Sequence, residues 1–177
     1  WNQDITVNTS VSERSITKEK HFTTPSGKTF IAYGHFDDGV EYLYLQLLDQ
    51  HGNKMFGDSG ILLDQVSVDW ISNCLFVQVD TQENCYISSW FSIREARIYG
   101  VNISGETILS EIFISNEVIN AFELTENNDF VFMTETHIKK YNSTGALIWD
   151  EDLSVLPELS VQSIIAGQIR FDDSGNF

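Results

Sequence analysis

Three acidic groups are the first material for chemistry in this chain: Asp37-Asp38, Asp150-Glu151-Asp152 and Asp172-Asp173. Glycoside cleavage needs two carboxylates facing one substrate, one as acid and one as nucleophile or base. With 26 Asp and Glu in the chain, neighbouring acids follow from composition, and solvated loops are the better reading of all three groups. The four histidines, His21, His35, His51 and His137, form no His-x-His or His-Glu-x-x-His spacing, and Cys74 and Cys85 no Cys-x-x-Cys. No transition-metal site is read, and no cofactor is expected. Asp172, Ser174 and Asn176 alternate around Gly175 like part of a calcium loop, but the bidentate acid of such a loop would lie past Phe177, so a hairpin turn is preferred.

Ser59, in Gly57-Asp58-Ser59-Gly60, lacks the strand-to-helix setting of a nucleophile elbow. Asn8, Asn102 and Asn142 each open an Asn-x-Ser or Asn-x-Thr acceptor sequence, and the last two stand where a turn favours Asn anyway. Aromatic side chains remain. Tyr42, Tyr44, Trp70, Trp90 and Phe91 are rings of the kind that stack on sugars, against a default of core packing, and Tyr44, Trp70 and Trp90 are the candidate ligand platform. No catalytic residue is assigned, and the chain is expected not to be an enzyme.

Composition narrows the partners. Ten Lys and Arg against 26 acids give a net charge of −16, which repels phosphate backbones and anionic lipid. Apolar runs such as Cys74 to Val77 are too short to cross a bilayer as a helix. A chain that is 42% hydrophobic and 12% aromatic has ample material for a core. It opens on Trp1 rather than Met, which suggests a mature or trimmed N-terminus and fits export, but fits an artificially chosen boundary equally well.

The elements that position these residues emerge from self-similarity. Leu43 to Phe56, Ala96 to Leu109 and Thr136 to Trp149 each read as strand, turn, strand. Asp49, Asn102 or Asn142 opens the turn, and Gly52, Gly105 or Gly145 follows three residues later. Asx starts a type I turn, and Gly supplies the positive φ that closes a hairpin with a one-residue bulge. Four residues past each Gly stands Phe56, Leu109 or Trp149, expected in the core. A first hairpin precedes each: Thr81 to Tyr86 matches Thr125 to Phe130 and, with one extra residue, Thr24 to Phe30, with Asp172 to Phe177 as a fourth copy. Its anchors Phe30, Tyr86, Phe130 and Phe177 are 56, 44 and 47 residues apart, the span of four short strands. A turn centred on Gln82 and Glu83 sets Cys85 opposite Asp80 and Cys74 opposite Phe91, so no disulfide is expected.

The expected fold is therefore all-β: tandem four-stranded antiparallel blades of the propeller type, in an open or incomplete ring, with a β-sandwich as the alternative. The units run over about 1–20 (outer strand of a preceding or closing blade), 21–65, 66–118, 119–160 and 161–177 (start of a further blade). The stretch Leu47 to Leu62, with Asp49-Gln50-His51-Gly52-Asn53 ahead of Phe56-Gly57, resembles the blade motif of large exported repeat proteins of the Bacteroidetes. Trp149 restores the family's Trp where Phe56 and Leu109 depart from it, and the third unit is also similar to quinone-binding-type propeller blades. The resemblance implies export to the cell surface or beyond by a type IX route that reads a C-terminal sorting domain. The expected function is a non-catalytic binding module for a protein or glycan, an export component or a second copy pairing with open sheet edges. The alternative is part of a hydrolase or lyase whose site further blades complete.

Overall fold

The structure, a computed structural model, describes residues 16–67, 75–92, 95–115, 119–134 and 136–153. Twelve strands and no α-helix are found among them, in three four-stranded antiparallel sheets. The first sheet runs in the order β1 (Ile16–Thr23), β2 (Thr29–Asp37), β3 (Val40–Leu48), β4 (Ile61–Ser67). The second is β5 (Leu75–Val79), β6 (Cys85–Ser92), β7 (Glu95–Val101), β8 (Thr107–Ser115), and the third β9 (Ala121–Leu124), β10 (Phe130–Met133), β11 (His137–Tyr141), β12 (Leu147–Asp152). Each strand pairs with its sequence neighbour, and the leading strands converge, with β5 beside both β1 and β9. These are propeller-like blades with the first strand innermost, and the described sheets close no ring.

Turn chemistry cuts the chain into these strands. In the third-to-fourth strand turns the Oδ1 of Asp49, Asn102 or Asn142 accepts the backbone N–H two and four residues on, at 2.8 to 3.0 Å. Gly52, Gly105 and Gly145 follow at φ +87°, +84° and +85°, so the expected hairpin is the one observed. Just past it the outer strand carries an extra residue, Ile108 in the second sheet and Ile148 in the third. The next residue turns inward: Phe56, Leu109 and Trp149 pack on successive cores.

The first-hairpin turns require two corrections. They open at Thr24, Asp80 and Thr125, and the left-handed position is Gly27, Glu83 or Asn128, three residues later in every copy. No extra residue exists in the first copy, and Tyr86 aligns with Phe30 and Val131 rather than with Phe130. Phe30 therefore faces the second sheet and Tyr86 the third, while Phe130 faces back against Tyr86 at a ring separation of 5.4 Å. The same one-residue displacement sets Cys85 opposite Val79 instead of Asp80, which lies in the turn. Cys85 is buried as a free thiol, which burial and then Asp80 push well above its ordinary pKa. Cys74, Trp1 and the copy at Asp172 to Phe177 lie outside the described residues.

Successive cores join the sheets. Phe30, Ala32, Leu43, Leu45 and Leu47 pack against Leu75, Cys85, Ile87, Tyr99 and Val101. The other face of the second sheet, with Tyr86, Ala96 and Ile98, meets Phe122, Phe130 and Phe132 of the third. The second sheet thus presents apolar side chains to both of its neighbours, as layered sheets demand.

Candidate functional site

The outer face of the first blade carries the most developed aromatic surface. The two-residue turn at Asp38 and Gly39, both at positive φ, fixes the β2–β3 register so that Tyr33 stands opposite Tyr44 and His35 opposite Tyr42. The four rings are spaced along the pleat on the side turned away from the second blade. Tyr33 and Tyr44 stack at 5.4 Å and 14°, Tyr44 and Tyr42 at 6.4 Å and 25°, and Tyr42 and His35 at 6.2 Å and 29°. Tyr33 and His35 are buried, while Tyr42 and Tyr44 are half-buried and present ring surface. The Tyr33 hydroxyl donates to the Ser59 carbonyl at 2.7 Å. Partial burial, then neighbouring Tyr42, raises the Tyr44 phenol above its ordinary pKa, keeping it a neutral donor across the physiological range.

Of the expected platform, the structure places Tyr44 alone in this ladder. Trp70 lies outside the described residues, and Trp90 is described only as a β6 backbone position opposite Ala96. Sequence reading missed Tyr33 and His35, whose partners become visible only once the strand register is known. Among the acids, Asp37 and Asp38 shape the β2–β3 turn, and Asp150 lies on the exposed outer strand 3.5 Å from Lys139. The side chains of Asn102 and Asn142 are held inside their turns.

Two polar clasps between the first and second blades also escaped the sequence. The Glu83 carboxylate accepts the Ser26 N–H at 3.1 Å, the Ser26 hydroxyl at 2.9 Å and the Lys28 ammonium at 3.2 Å. Farther out, Asp64 accepts Arg97 at 2.7 Å, the Tyr99 hydroxyl, and the N–H of Gln65 at 2.7 Å. Burial, with Asp64 beside it, drives the Tyr99 phenol far above its ordinary pKa. The two lie at an open cleft of about 240 Å³ whose other lining is Ile61, Leu62, Leu63, Val101 and Thr107. With its carboxylate already accepting three donors, this cluster joins blades and offers no idle acid or base.

No protein-family model matches the chain, and no curated protein matches it. Among solved structures it is similar to the crystal structure, at 1.35 Å resolution, of a protein of unknown function from Bacteroides caccae. The TM-score is 0.50 at 12% sequence identity, over 93% of this chain. The chain spans 52% of that protein's length. At this identity the likeness is one of fold alone.

Proposed function

We propose that the chain is part of a secreted or cell-surface protein, of the exported Bacteroidetes repeat kind, and acts as a non-catalytic binding module for a protein or glycan. One observation carries the reading: the stacked Tyr42–Tyr44 pair on the outer face of the first blade, held half-buried by the Tyr33 and His35 rings beside it. Flat, prearranged rings with a hydroxyl at the tip suit the apolar face and hydroxyl rim of a sugar, and suit a protein hot spot equally. The Glu83 and Asp64 clusters and the Asp49 turn support the same reading, since their hydrogen bonds are spent between blades and within the turn.

The test is an oligosaccharide array followed by calorimetry on the 177-residue chain. Binding of at least one glycan is expected, weakened about tenfold or more by Tyr44→Ala and less by Tyr44→Phe. Retained affinity in Tyr44→Ala, or turnover of a bound glycan, would overturn the proposal.

A further inference from the structure

The tyrosine face of the first blade is set apart by its charge as well as by its rings. Residues directly opposite in an antiparallel pair share a face, so Glu19, Tyr33, Tyr44 and Leu62, each opposite the next, form one row across the four strands. The row is open at both ends: Glu19 is exposed, and Leu62 shows 46% of its surface. Glu19 makes no ion pair among the described residues. Beside the row, His35 is buried opposite Tyr42, and its Nδ1 has no hydrogen-bond partner among the described residues.

No cation offsets Glu19 on this face. Lys18 and Lys20, the only Lys or Arg in β1–β4, stand opposite Gly34 and Ala32 and so point to the other side, toward the second blade. There Lys18 is fully buried against Glu41 at 3.0 Å. Elsewhere Lys28, Arg97, Lys139 and Lys140 are each paired with an acid. In a chain of net charge −16, the half-buried rings of Tyr42 and Tyr44 therefore lie in a negative field with no positive side chain of their own sheet beside them.

These groups favour one kind of visitor. The face of a tyrosine ring attracts a cation through its quadrupole, Glu19 supplies the opposite charge, and the His35 nitrogen accepts an N–H in one of its tautomers. A guanidinium meets all three, because it is flat, always charged and carries its donors in a fork. A neutral sugar would use the rings alone. The length of the row selects a chain over a single small molecule: three strand spacings, about 14 Å, separate Glu19 from Leu62. The exposed Leu62 at its outer end suits an apolar side chain. Resting on the reading of this face as a binding surface, we propose that it receives an extended basic segment of a partner protein. One arginine sits on the Tyr42 and Tyr44 rings with Glu19 as its counter-charge, and an apolar residue of the same segment packs on Leu62.

The test is calorimetry of the 177-residue chain with the capped peptide Leu-Thr-Arg-Thr-Leu, whose Arg and Leu share one side when extended. The control peptide carries citrulline in place of arginine, equal in shape and uncharged. The arginine peptide should bind about tenfold or more tighter than the citrulline peptide, and less tightly as salt rises. Glu19→Gln and Tyr44→Ala should each remove most of that difference. Glu19 is exposed, so its substitution decides the matter alone should Tyr44→Ala unfold the blade. Equal affinity for the two peptides, or no binding of either, overturns the proposal. A neutral glycan held through Tyr44 while neither peptide binds refutes the basic segment and leaves the binding surface standing. A chitosan oligomer bound with the same dependence on Glu19, in the absence of peptide binding, would put the cation on a glycan and refutes the segment as well. Arginine-peptide binding that is indifferent to Tyr44→Ala in a folded chain would sink both the segment and the tyrosine surface.

Discussion

Glu83 shows how one side chain can be both a local cost and a long-range tie. It sits at φ +62°, where an L-residue is unfavourable and where the first blade uses Gly27. Its carboxylate returns three hydrogen bonds to the neighbouring turn. The Ser26 hydroxyl, ahead of Lys28, holds its pKa down from 4.5 to about 2, against an opposing push from partial desolvation. A depressed carboxyl pKa contributes stability that is fully present above the unfolded value and is lost as pH falls through the folded one. Glu83→Gln keeps the backbone and removes the charge, so it should cost about 1 kcal/mol at pH 7. The gap from wild type should close as pH falls from 4.5 toward 2, read by urea denaturation. A gap that stays constant would separate the clasp from its charge. None of this was legible in the sequence, because Ser26 and Glu83 are 57 residues apart and belong to no motif. Tyr44 was legible as an aromatic in a strand, but its stacking partners depend on a register that residue types alone leave open.

The hairpins were the legible elements, and unevenly so. Asp49, Asn102 and Asn142, each followed by a Gly, marked their turns correctly because side-chain acceptor and positive φ come together at a fixed offset. In the first hairpins Glu83 and Asn128 hold the left-handed position in place of Gly, so the alignment rested on the threonines Thr81 and Thr125 and slipped by one residue. A slip of one reverses the face of every side chain in a strand, and that is why Phe130 was aligned with Phe30 and Tyr86 although it faces the opposite way. Glycine geometry gives a matched test at this scale. Gly57 and Gly60 share nearly the same φ, +72° and +75°. A Cβ at Gly57 meets nothing within 4 Å, whereas one at Gly60 would lie 2.5 Å from the Leu45 carbonyl oxygen. Gly57→Ala should cost about 1 kcal/mol from backbone strain alone. Gly60→Ala should cost roughly 2 kcal/mol more, because β3 must shift. Equal thermal midpoints for the two variants would refute the close approach of the loop to β3.

At the scale of the whole molecule, stability is shared between blades. Phe130 is fully buried between the second and third sheets, in contact with the Tyr86, Phe122 and Phe132 rings. Phe130→Ala should cost about 3 to 5 kcal/mol. The loss should appear as faster hydrogen exchange in β5–β7 as well as β9–β11, because the cavity opens on both sheets. Faster exchange confined to the third sheet would mean that the blades unfold as independent units. The repeat and the all-β architecture were legible because strand length, turn spacing and inward aromatics all follow from local chemistry. The inter-blade contacts were not, because each depends on two faces meeting. Those two faces are unlike one another, Tyr86 and Ile98 on one side of the second sheet and Cys85 and Ile87 on the other. Each blade therefore has a donor side and an acceptor side, and joining blades is a directional, head-to-tail act that uses up one docking surface while exposing another of the same kind. A stack of this sort has no internal signal for its own size: rotation per unit, rather than any blade's chemistry, decides whether it counts to a closed number or grows as a spiral.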